Sequence, residues 1–127
     1  MIQVQNLSKS YNGTTVLKID QLEIPKGESF GLVGNNGAGK TTFFSLLLDL
    51  IHPTTGAVIN NGVQVNTSEA WKPFTGSFLD ESFLIGYLTP EEYFYFIGDL
   101  RGQNKADVDA LLAIHDEFFN LEILKNK

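Results

Sequence analysis

Over the first thirty residues apolar and polar side chains alternate with a period close to two, the pattern of half-buried strands. Ile2 and Val4 fall on one side of such a strand, with Asn6 continuing the series, and Asn12-Gly13 makes a turn. Residues 16–19 and 22–24 carry the pattern on to a second turn at Pro25-Lys26-Gly27-Glu28. The period then changes. Phe30-Gly31-Leu32-Val33 reads as a short buried strand, and between residues 41 and 51 Phe43, Phe44, Leu46, Leu47, Leu48, Leu50 and Ile51 recur at helical spacing. His52-Pro53-Thr54-Thr55-Gly56 stops that helix.

Residues 57–59 and 63–65 flank Asn60-Asn61-Gly62, and Asn-Gly supplies the two positive φ angles of a type I′ hairpin turn. A helical turn over 68–72 and a buried strand over 74–79 follow. Thr89-Pro90-Glu91-Glu92 has the makings of a helix start: Thr89 as N-cap, Pro90 at the first helical position, Glu92 closing a capping box. This helix is expected to reach about Leu100 and stop near Gly102. Another, from about Lys105, sets Val108, Leu111, Leu112, His115, Phe118 and Phe119 on one face. No internal repeat or low-complexity tract interrupts the chain.

Between the strand at 30–33 and the helix lies Gly34-Asn35-Asn36-Gly37-Ala38-Gly39-Lys40-Thr41, which fits Gly-x-x-x-x-Gly-Lys-[Ser/Thr] in its required strand-loop-helix context. A loop that wraps a polyphosphate must turn successive backbone N–H groups inward at a helix N-terminus, and glycines permit that path. Lys40 is placed to reach the β- and γ-phosphates and the Thr41 hydroxyl to take one site on a bridging Mg²⁺, with Thr42 nearer the α-phosphate. The alternative is a Gly-rich turn that only caps a helix.

At 127 residues, 43% hydrophobic and 19% charged, the chain has the make-up of a globular domain with its own core. No apolar run approaches the length of a membrane span and no signal peptide precedes the first strand, so an intracellular location is expected. It has no cysteine, which excludes disulfides and thiolate metal sites. Of the net charge of −6, residues 1–60 contribute none (four Lys, four Asp or Glu), and residues 61–127 carry all of it (five Lys or Arg, eleven Asp or Glu). The basic stripe of a nucleic-acid binder is missing, so phosphate capture falls to the loop, the helix dipole and Lys40. His52 and His115 have no second ligand at metal spacing, and Trp71 suits core or rim equally.

Three motifs in order, Leu7-Ser8-Lys9-Ser10-Tyr11, the loop through Thr42, and Pro53-Thr54-Thr55-Gly56 leading to Asn61-Gly62, resemble the N-terminal half of an ABC transporter ATP-binding subunit. The run Gly86-Tyr87-Leu88-Thr89-Pro90-Glu91-Glu92-Tyr93 resembles that family's entry to its helical subdomain. The resemblance implies an α/β fold: a P-loop NTPase core with an N-terminal antiparallel β subdomain over residues 1–80, the start of a helical subdomain over 81–127, and an incomplete sheet. It implies ATP and Mg²⁺ as cofactors. Tyr11 matches the aromatic that stacks on adenine, and Asp80, or its neighbour Glu81, matches the Q-loop position facing the metal. The crowd of apolar residues from Phe83 to Ile97 divides between core and a surface for a transmembrane permease, and a second ATP-binding subunit completes a dimer at the cytoplasmic face of the membrane.

These residues contain no Leu-Ser-Gly-Gly-Gln type signature, no Walker B strand and no switch histidine, so no catalytic residue is assigned among them. A fragment is expected, able to bind ATP and not to hydrolyse it efficiently, with a core strand left unpaired and prone to self-association. The other reading is a stand-alone nucleotide-binding or interaction module without turnover. A small kinase or GTPase fits less well, for lack of base-specificity motifs.

Overall fold

The computed structural model describes residues 1–35, 37, 39–80 and 84–119. They form two compact units, Met1–Leu79 and Asp80–Lys127. The first holds a four-stranded antiparallel sheet built from β1 (Ile2–Tyr11), β2 (Thr14–Ile24), β3 (Thr55–Asn60) and β4 (Val63–Gln64), in the order β2-β1-β3-β4. Both hairpins turn on Asn-Gly. Asn12 and Gly13 have φ of 50° and 80°, Asn61 and Gly62 of 49° and 82°, so both residues of each pair occupy the left-handed region.

The alternation along β1 breaks where the sequence pattern continues it. Asn6 is exposed, whereas Leu7 is fully buried beside Val4. The cause is a bulge against β3: Gln5 pairs with Ala57 and Ser8 with Thr55, so Asn6 and Leu7 together face Gly56 alone. Asn6 takes φ 47°, a conformation asparagine tolerates, and the extra residue reverses which side chains point inward. Gly56 accommodates the approach. A Cβ there would lie 2.2 Å from the Asn6 carbonyl oxygen and 2.3 Å from that of Gln5.

One face of the sheet is covered by α1 (Lys40–Leu47), whose Phe43 and Leu46 join Val4, Leu7, Val58, Val65 and Trp71 in the core. The helix ends four residues earlier than its apolar pattern. Leu48 caps it, Asp49 turns to φ 55°, and the N–H groups of Asp49 and Leu50 donate to the carbonyls of Leu46 (3.3 Å) and Ser45 (2.9 Å). That is a Schellman stop with an aspartate where glycine is usual. Trp71 is core: 4% exposed, its indole N–H donates to the Val65 carbonyl at 3.1 Å.

Neither expected buried strand, 30–33 or 74–79, joins a ladder among the described residues. Val33 is 93% exposed and Phe78 68%. Lys72–Phe74 instead form a 3₁₀ turn with Pro73 at its start, and the Thr75 hydroxyl donates to the Trp71 carbonyl at 2.8 Å. An extended segment becomes a strand only when a neighbour pairs its N–H and C=O groups, and none of the described residues does so for these two.

The second unit contains α2 (Pro90–Leu100), α3 (Lys105–Ile114) and the short α4 (Asp116–Phe119). The Thr89–Glu92 capping box forms as the sequence predicts, and Asn104–Asp107 makes a second one. Gly98 lets α3 approach closely, since a Cβ there would meet Val108 Cγ2 at 2.5 Å. Of the face predicted on α3, Val108 and Leu112 are buried and Leu111 is half exposed.

Candidate functional site

The loop between residue 33 and α1 is bent by glycine. Gly37 and Gly39 have φ of 84° and 94°, and Gly39 is the N-cap of α1. No side chain caps the helix and no acidic residue lies in its first turn, so its free N–H groups and positive dipole end remain open to an anion. Lys40, the first helical residue, folds back and donates from Nζ to the Gly34 carbonyl oxygen. Its ammonium therefore sits across the loop that the glycines shape. Thr41 is exposed and Thr42 half-buried at the same helix end, and Gly34 and Asn35 are exposed. Asn36 and Ala38, also assigned to the loop from sequence, lie outside the described residues.

Gly39 anchors the loop to the sheet. A Cβ there would lie 3.0 Å from the Val16 carbonyl oxygen and 3.2 Å from Leu17 Cδ1. Val16 is a bulged residue: Ser10 pairs with Thr15 and Lys9 with Leu17, which leaves Val16 unpaired. Tyr11, paired with Thr14, is two positions along β2 from this contact. The hairpin thus brings the end of β1 beside the N-terminal end of α1. Tyr11 is 50% exposed, and the Lys9 ammonium lies 4.9 Å from its ring centroid. Lys9 also donates to the His52 carbonyl at 2.7 Å. Sequence reasoning left Lys9 without a role. Its signal was the two-residue spacing from Tyr11, which puts both on one face of a strand.

Asp80 is exposed and belongs to the second unit, whereas Thr41 belongs to the first. Its alternative, Glu81, lies outside the described residues, as does Phe83. Among the described residues no group of three or more His, Cys, Asp or Glu could hold a metal by itself, so a cation here would depend on phosphate oxygens and a few protein ligands. No helix of the described residues is long and apolar enough to cross a membrane.

A glycine-bent loop that delivers a lysine to an uncapped helix N-terminus, beside an antiparallel sheet ending in an exposed tyrosine, defines a P-loop nucleotide-binding domain. Residues 17–121 match the family model described as ABC transporter, and the chain belongs to that family. It is 34% identical over 117 residues to the bacitracin transport ATP-binding protein BcrA of Enterococcus faecalis, covering 90% of this chain and 38% of that protein. It is 32% identical over 112 residues to the lantibiotic transport ATP-binding protein SrtF of Streptococcus pyogenes, covering 88% and 48%. Among solved structures, an ATP-binding subunit of an ABC transporter aligns with a TM-score of 0.79 at 28% identity, over 95% of this chain and 51% of that one. A dimeric bacterial ABC transporter cassette aligns at 0.68 and 26%, over 80% and 48%. The chain therefore spans about half the length of the proteins it resembles, or less.

Proposed function

We propose that this chain is the ATP-binding part of an ABC transporter ATPase subunit that couples ATP hydrolysis to transmembrane transport. The observation that carries the reading is the bent loop with the Lys40 ammonium lying across it at the open N-terminus of α1. In that reading Gly34, Asn35, Asn36, Gly37, Ala38 and Gly39 wrap the phosphates with backbone N–H groups. Lys40 exchanges the Gly34 carbonyl for β- and γ-phosphate oxygens, a stronger acceptor for an ammonium. Thr42 adds a hydroxyl nearer the α-phosphate, and Tyr11 offers a face to adenine.

The residues suit Mg²⁺, which when bound neutralises charge between the β- and γ-phosphates. The Thr41 hydroxyl would be a ligand to it, and Asp80, with its short side chain, would act through a water. The partners are a transmembrane permease, met through exposed apolar residues of the helical unit such as Tyr87 and Leu100, and a second ATP-binding subunit. The dimeric cassette among the structural relatives supports the latter. The working location is then the cytoplasmic face of the membrane.

These 127 residues by themselves bind ATP without efficient turnover. Positioning the metal and the attacking water supplies most of the rate in P-loop hydrolases, and no residue in this sequence takes the Walker B, signature or switch-histidine roles. A MgATP binding titration run beside a phosphate-release assay tests both points. Saturable binding, weakened about tenfold or more by Lys40→Ala, is expected, with release near background. Unaltered affinity in Lys40→Ala would show that the loop is not the phosphate site, and steady release would refute the division between binding and turnover.

A further inference from the structure

Tyr11 is held by more than its strand. Lys9 sits two residues earlier on the same face, with its ammonium 4.9 Å from the ring centroid and a 2.7 Å hydrogen bond to the His52 carbonyl oxygen. The turn that supplies this carbonyl is itself fastened to β1. Thr54 N–H donates to the Ser8 carbonyl at 2.8 Å, Ser10 N–H donates to the Thr54 hydroxyl at 2.9 Å, and the Ser8 and Thr55 hydroxyls lie 2.6 Å apart. The Lys9 anchor is therefore backbone tied to the strand on which Lys9 and Tyr11 stand.

We infer that Lys9 is a positioning residue for base recognition: tethered to the His52 carbonyl, it covers one face of the Tyr11 ring and leaves the opposite face to the adenine of ATP. The inference rests on the reading of Tyr11 as the base platform. Half of the Tyr11 surface is exposed, and with an ammonium on one face the other is the face a base can take. Two effects follow. A ring restrained before binding loses less rotamer freedom when the base arrives. A cation over one face also draws on the π density, which improves stacking of an electron-rich purine on the other.

The test compares ATP with inorganic tripolyphosphate, each with Mg²⁺, by calorimetric titration of the wild-type chain and of Lys9→Met, Lys9→Arg, Tyr11→Ala and Lys40→Ala. Lys9→Met is expected to weaken ATP about two- to fivefold and leave tripolyphosphate unchanged, with Lys9→Arg restoring ATP because guanidinium keeps both the hydrogen bond and the ring contact. Tyr11→Ala should show the same selective loss, larger in size, and Lys40→Ala should lose both ligands. The ratio of the two affinities is read on folded molecules alone, so partial unfolding of a variant does not disguise the result. Unchanged ATP affinity in Lys9→Met, or an equal loss of tripolyphosphate that would make Lys9 a direct phosphate contact, overturns the proposal. Unchanged ATP affinity in Tyr11→Ala would instead overturn the base-platform reading on which it stands.

Discussion

A Cβ added to Gly39 would fall 3.0 Å from the carbonyl oxygen of Val16, the bulged residue of β2. The last glycine of the loop before α1 is thus seated against the sheet, and its φ of 94° is one that an L side chain adopts only with strain. Gly39→Ala is expected to cost about 1–2 kcal/mol in stability and to weaken ATP binding as the loop shifts off β2. Urea unfolding followed by Trp71 emission, with a parallel ATP titration, checks both. An unchanged affinity would mean that the loop's position on the sheet is irrelevant to binding.

Gly56 is under a tighter constraint, because both neighbours of its missing side chain are backbone carbonyls of β1. Neither can rotate away. Gly56→Ala should destabilise the first unit by about 2–5 kcal/mol, combining a left-handed backbone with overpacking against the bulge at Asn6. Gly62, also at positive φ but with open space around it, should lose only the backbone part, about 1–2 kcal/mol. Equal effects at the two positions would refute the steric argument.

In the second unit the Tyr95 hydroxyl donates to Asp109 of α3 and to Glu91 of α2, the latter at 2.8 Å. One phenolic proton between two carboxylates holds Tyr95 neutral well above its ordinary value of 10.0, first through the hydrogen bond to Asp109 and then through that to Glu91. A raised folded-state value means stability fully present below pH 10 and lost as pH rises beyond it. Helical circular dichroism during alkaline unfolding should therefore show the wild-type chain ahead of Tyr95→Phe near neutrality, with the two converging above pH 10. Curves that stay parallel would mean the phenol does not bridge the helices.

The first unit leaves Phe30, Val33, Phe74 and Phe78 exposed, and Phe78 also lines an apolar groove of about 290 Å³ with Phe44, Leu47 and Val58. Apolar surface of this kind favours association. The chain is expected to self-associate with rising concentration in size-exclusion chromatography with light scattering. Replacing Val33 and Phe78 by serine should reduce the effect, and a monomer at high concentration would contradict it.

Much of the architecture was legible because its signals are short-ranged. The Asn12-Gly13 and Asn61-Gly62 turns, the Thr89–Glu92 box and the stop at Gly102 are satisfied by groups within about four residues. The glycine-bent loop before α1 was legible for the same reason: its glycines and lysine are contiguous. What escaped was set by partners distant in sequence. The bulge at Asn6 exists because β3 meets β1 at Gly56, fifty residues on, and it is this that buries Leu7 rather than Asn6.

By itself, then, the sequence determined the turns, the caps, the glycine-bent loop before α1 and, through the order of its motifs, the family. Tertiary structure decided that residues 30–33 and 74–79 join no ladder among the described residues, that Trp71 is interior, and that Lys9 rests on Tyr11. The reason is one of range. A cap or a tight turn is closed by its own neighbours, whereas a ladder, a bulge or an ammonium held over a ring depends on chain that only folding brings near.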